Sequence, residues 1–173
     1  ALVLKNNYVG DVVIPQMVSY NGNEFSVTSL DDGCFSNCSS LTSITLPKGI
    51  TSVGDCCFYG CSSLTSITIP DGTTSLGERC FEGCKSLTSI SFPSSLSVLY
   101  NNIFANTTQK RRIIIKNTIP PDIKISSIYS NLSPINSKYT LYVPKGTLDA
   151  YKKATTWGRA GVFYEGNPID SIT

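Results

Sequence analysis

A 23-residue step recurs along this chain and leaves it few ways to fold. Cys34-Phe35, Cys57-Phe58, Cys80-Phe81 and Ile103-Phe104 stand one step apart. The same step links Leu41, Leu64 and Leu87, then Ile44, Ile67, Ile90 and Ile113, then Leu46, Ile69, Phe92 and Ile115. Pro47, Pro70 and Pro93 keep it, as do Val53, Leu76 and Leu99. A unit of this size cannot bury its own apolar face. Stacked on its neighbours it shares one continuous core, which is the logic of a solenoid.

Within each unit the pattern Leu-x-x-Ile-x-apolar reads as a short strand with alternate side chains turned inward. Pro and Gly behind it force a turn, because Pro cannot donate to a ladder and Gly accepts positive φ. The Phe and the two Cys of each unit are then expected to fill the opposite side of the coil. The ends depart from the pattern as caps should, since an open solenoid exposes core and strand edge. The expected layout is a single domain over 1–173, with an N-terminal cap at 1–26, repeats at 27–118 and a C-terminal strand and helix cap at 119–173. Val12-Val13-Ile14-Pro15 reads as a first strand and Asn21-Gly22 as a hairpin turn. Lys138 to Pro144 reads as a strand, followed by a short helix over 146–154 with Leu148, Tyr151 and Ala154 on one face. Trp157 is expected to close the core. The stretch from Asn117 to Pro134, with Pro120-Pro121, reads as a last degenerate coil.

These residues give the chain a resemblance to the BspA-like leucine-rich-repeat family, whose units run roughly I-G-x-x-A-F-x-x-C-x-x-L-x-x-I-x-I-P. Gly10 to Pro15 and Leu141 to Lys152 look like caps of its Bacteroides members. The fold class this implies is an α/β solenoid of leucine-rich-repeat type: right-handed, about four 23-residue repeats, a parallel sheet on one face, mostly irregular or short helical turns on the other, capped at both ends. The resemblance also implies export to a bacterial surface or periplasm, outer-membrane anchoring included, and adhesion to host matrix proteins or other cells. The chain departs from the family in placing Cys34, Cys57 and Cys80 where Ala is usual, and in its small number of repeats.

Composition narrows the function further. There is no His among the 173 residues, which removes the commonest general base and metal ligand at neutral pH. No catalytic, metal or cofactor site is read from the sequence. Fourteen Lys and Arg against twelve Asp and Glu give a net charge of +2, too balanced to announce a nucleic acid. The distribution is uneven: 1–108 holds four basic and eight acidic side chains, and 109–173 holds ten and four. No apolar run is long enough to span a membrane. The opening on Ala1-Leu2-Val3-Leu4 without a Met suggests that a leader or lipid anchor has been removed ahead of it.

The cysteine pairs Cys34/Cys38, Cys57/Cys61 and Cys80/Cys84 have zinc-like spacing, but they recur with the core period and are expected to be stacked buried thiols. Cys56, aligned with Gly33, Arg79 and Asn102, is expected to point outward and to be the most reactive. Residues flanking the inward Ile should line the concave sheet face as a hydroxyl ladder of Ser43, Thr45, Ser66, Thr68, Ser89 and Ser91, continued by Arg112 and Ile114. Lys110, Arg111, Arg112 and Lys116 form a basic end, which either meets an acidic partner or keeps an apolar terminal strand from pairing edge to edge. Tyr139, Tyr142, Trp157, Phe163 and Tyr164 are expected to pack the cap, which leaves the sheet face without an aromatic to stack on a sugar. The expected function is a non-catalytic extracellular module binding a protein or peptide; the alternatives are a structural spacer and a glycan-binding module.

Overall fold

The computed structural model describes residues 8–100, 102–107, 109–124, 138–154 and 157–166. The parts of the expected N-terminal cap before Tyr8, and of the degenerate coil from 125 to 134, lie outside the described residues.

Two parallel ladders run along the stack. The front one begins with β1 (Gly10–Val13) paired to β5 (Leu41–Thr45). It continues through β7 (Ser66–Thr68), β9 (Ser89–Phe92), β11 (Arg111–Ile115), β13 (Tyr139–Val143) and β14 (Val162–Glu165). Between β5 and β7 the Thr65 N–H donates to the Thr42 carbonyl at 3.3 Å. The second ladder, which the sequence pattern left as irregular turn, joins β4 (Ser29–Leu30), β6 (Ser52–Val53), β8 (Ser75–Leu76), β10 (Val98–Tyr100) and β12 (Asp122–Lys124). These strands are two or three residues long, too short for a periodic signal, and β4, β6, β8 and β10 each supply one buried core side chain: Leu30, Val53, Leu76 and Leu99. β2 (Met17–Tyr20) and β3 (Asn23–Ser26) form the expected hairpin, with Asn21 and Gly22 at φ 50° and 77°.

The third side of each coil is a run of turns whose backbone also pairs between coils. Phe35, Phe58 and Phe81 N–H groups donate to the carbonyls of Cys57, Cys80 and Ile103 at 2.8 to 3.0 Å. Two positions per turn take left-handed backbone: Gly33, Cys56 and Arg79 at φ 54° to 62°, and Asn37, Gly60, Gly83 and Asn106 at φ 54° to 73°. Asp32 and Asp55 carboxylates accept from the backbone N–H of Asp55 and Glu78 in the next coil, at 2.8 and 2.7 Å. Gly77 lies so close to Asp55 that a Cβ there would overlap backbone atoms of Gly54 and Asp55. Gly77→Ala should therefore lower stability by about 1–3 kcal/mol, measured as a shift of the urea midpoint; an unchanged midpoint would mean that the coils are spaced more loosely.

Inside, Ile44, Ile67, Ile90, Ile113 and Leu141 form one buried column. Phe35, Phe58, Phe81 and Phe104 form another, with successive ring centroids 5.5, 5.5 and 6.0 Å apart. Tyr8 covers its first ring and Tyr139 its last. All seven cysteines are free thiols; Cys38, Cys57, Cys61, Cys80 and Cys84 are buried, and Cys34 and Cys56 are half-buried. Burial pushes the Cys56 thiol up, an effect the nearby Arg79 guanidinium only partly offsets. Its thiolate is therefore scarcer than its expected outward position implied.

At the C-terminal end, α1 (Leu148–Lys153) buries Tyr151, whose ring meets Trp157 edge-on at 5.7 Å. Trp157 is buried and donates Nε1–H to the Pro121 carbonyl at 2.9 Å. Thr147 precedes the helix without capping it through its side chain. Glu165 on β14 does so instead, accepting from the Gly146 and Leu148 N–H groups at 3.1 and 3.0 Å. Among the described residues no helix is long and apolar enough to cross a membrane.

Candidate functional site

The register of the front ladder decides what its outer face presents. One outward row runs Asp11, Ser43, Ser66, Ser89, Arg112, Thr140 and Val162. The parallel row runs Val13, Thr45, Thr68, Ser91, Ile114, Tyr142 and Tyr164. Six hydroxyl residues thus stand together in the middle, with Thr45, Ser66 and Thr68 exposed and Ser43, Ser89 and Ser91 half-buried. They sit between an acidic end and a cationic, aromatic one. Asp11 accepts from Ser43 Oγ at 2.7 Å and Thr42 Oγ1 at 2.8 Å, and those hydrogen bonds hold its carboxyl below the usual range.

The expected basic end divides into three. Arg111 keeps its side chain off the surface: it is 2% exposed, although the strand register aligns it with the exposed Thr42, Thr65 and Thr88 of earlier coils. Its guanidinium donates to the Leu87 and Cys84 carbonyls at 2.8 and 3.0 Å and to Thr107 Oγ1, and it lies over the Phe104 ring. Burial pulls its pKa down from the usual arginine value, with the neighbouring Tyr139 acting against that. Lys116 is exposed and pairs with both carboxylate oxygens of Asp71 at 3.1 Å. Of these four, Lys110 and Arg112 remain as exposed cations with no ion pair to a described residue. Nor is β11 a terminal strand needing protection, because β13 and β14 lie beyond it. Arg111→Ala should lower stability by about 3 kcal/mol, since it leaves the buried Leu87 carbonyl without its donor and a void beside Phe104. Thermal unfolding measures this; an unchanged Tm would contradict the buried assignment.

A model of the BspA type leucine-rich repeat region, in six copies, matches residues 17–137, most of the chain. The chain belongs to the BspA-type leucine-rich-repeat family. Its matched span is wider than the four regular repeats, taking in the β2–β3 hairpin and the segment beyond Ile115. The Treponema pallidum leucine-rich repeat protein shares the fold, with a TM-score of 0.57 at 20% identity over 92% of this chain and 74% of that one. A leucine-rich cell surface protein from Faecalibacterium prausnitzii is similar at 16% identity, covering 95% of this chain and 62% of its own, with a TM-score of 0.44. No curated protein matches the sequence.

Among the described residues, two depressions mark this face. A groove of about 670 Å³ runs across the hydroxyl rows of β5 and β7, with Lys48, Asp71 and Lys116 on its rim. A smaller one of about 410 Å³ lies at the C-terminal corner, between Ser89, Lys110, Arg112, Thr140, Tyr142 and Tyr164. The two tyrosines correct the expectation that this face lacks aromatics. Tyr139 and Trp157 do pack the cap, but Tyr142 is half-buried and Tyr164 is 52% exposed, their rings stacked 5.2 Å apart. Period-two alternation carried the signal: Tyr139, Leu141 and Val143 turn inward, so Thr140 and Tyr142 must turn out. Among the described residues no group of three His, Cys, Asp or Glu is placed to hold a metal ion.

Proposed function

We propose that this repeat domain is a non-catalytic module displayed outside a bacterial cell, which holds a protein partner against its front sheet face. The carrying observation is the outward pair of rows, where exposed Thr45, Ser66 and Thr68 line a groove that the strands' own backbone pairing leaves to side chains. Hydroxyls at this density offer donors and acceptors to an extended peptide at little desolvation cost. Location rests on kinship with the BspA-type leucine-rich-repeat family. Host matrix proteins and the surfaces of other cells are the proposed partners.

The test is a binding screen of the purified domain against immobilised matrix proteins, run beside a Thr45→Arg/Thr68→Arg variant that fills the groove. Saturable binding weakened at least tenfold in the variant is the expected result. Binding that the variant retains would move the contact off the groove, and no binding by either would favour a structural spacer.

A further inference from the structure

We propose that the C-terminal corner of the front face is a separate subsite for an anionic saccharide, a sugar unit bearing a carboxylate or sulfate. The argument begins with a stack laid out in strand order. Arg112 on β11 places its guanidinium 5.7 Å from the Tyr142 ring centre on β13. Tyr142 stacks at 19° on Tyr164 of β14. Tyr164, at the described edge of the sheet and 52% exposed, ends the stack towards solvent. Sugar C–H faces pack on tyrosine rings of this kind, which are apolar in the body and polar at the tip.

The rest of the corner is polar and of one sign. Its depression of about 410 Å³ is within the size range of small-ligand pockets. Thr88, Ser89 and Thr140 contribute hydroxyls, Lys110 and Arg112 contribute charge, and neither an aliphatic side chain nor a carboxylate lines it. Elsewhere on the face the cation Lys116 is already neutralised by Asp71. Held against Tyr142, the Arg112 guanidinium keeps its N–H edge for a planar carboxylate or a sulfate, the geometry for which arginine is suited. A peptide would find no pocket for apolar side chains here. Nor would it find free backbone over β9, β11 and β13, whose groups pair with one another.

The subsite is independent of the groove at β5 and β7, so the two readings fail separately. Isothermal titration would use a hyaluronan hexasaccharide and a sulfated chondroitin hexasaccharide as anionic probes, maltohexaose as the neutral one and hexaglutamate as the peptide. Saturable binding of an anionic hexasaccharide is expected, weakened at least tenfold by Tyr164→Ala and by Arg112→Gln, and unchanged by Lys152→Gln on the exposed side of α1. Ring-proton shifts of Tyr164 on titration would locate the contact. Hexaglutamate binding as tight as the saccharide and indifferent to Tyr164→Ala would overturn the proposal, as would binding of maltohexaose alone or of no probe. Which anionic probe binds more tightly separates carboxylate from sulfate.

Discussion

Phe81→Ala should cost the domain about 3–5 kcal/mol, the largest loss expected of any single truncation here. The ring is fully buried and stacked on Phe58 on one side and Phe104 on the other. Collapse into the vacated space would require neighbouring coils to approach, yet their spacing is fixed by hydrogen bonds from Phe58 to Cys80 and from Phe81 to Ile103. In a quasi-one-dimensional stack each repeat is held by its two neighbours, so a gap in mid-column also weakens the coupling between the halves. Urea unfolding of Phe81→Ala should show a lower midpoint and a broader transition. Phe35→Ala, at the column's end beneath Tyr8, should lose less, because only one coil has to adjust. Equal losses at the two sites would contradict a column that works through both neighbours.

Alkaline pH should destabilise the domain almost as strongly. Burial pushes the thiols of Cys57, Cys61 and Cys80 well up, and that of Cys84 to about 12. In the unfolded chain these thiols ionise near 9, while in the folded one they stay neutral. The stability tied to them is therefore complete below pH 9 and is lost as pH rises from 9 towards the folded values. Each such thiol contributes about 1.4 kcal/mol per pH unit across that window. Thermal melts at pH 8 and pH 10.5 should differ by well over 5 °C, the protein being less stable at the higher pH, with a smaller difference in Cys57→Ala/Cys80→Ala. A melting temperature equal at both pH values would mean that the thiols are not held neutral in the core.

The same stacking explains what could be read from the sequence. Features that repeat were legible, because a column needs the same side chain every 23 residues: the Phe column, the inward Ile row and the hydroxyl rows follow from spacing alone. Features that occur once were not. Arg111 reads as surface charge by residue type and by its alignment with the exposed Thr88, and only its partners Leu87, Cys84 and Thr107 reveal it as buried. Tyr164 lies on a strand outside the period, and its place on the face depends on the pairing of β13 with β14, which no local pattern encodes. The second ladder escaped notice because two-residue strands such as Ser52–Val53 show no alternation. At the candidate site, repetition gave the groove and its hydroxyls, and tertiary pairing gave the cationic, aromatic corner.

The claim that the front face meets the partner is tested most directly by hydrogen exchange of the domain with and without the matrix protein it retains. The account predicts added protection in the peptides carrying Thr45, Ser66 and Thr68 and none in those of the back ladder at Ser29–Leu30, Ser52–Val53 and Ser75–Leu76. Protection confined to the back ladder, with the front strands unchanged, would contradict it.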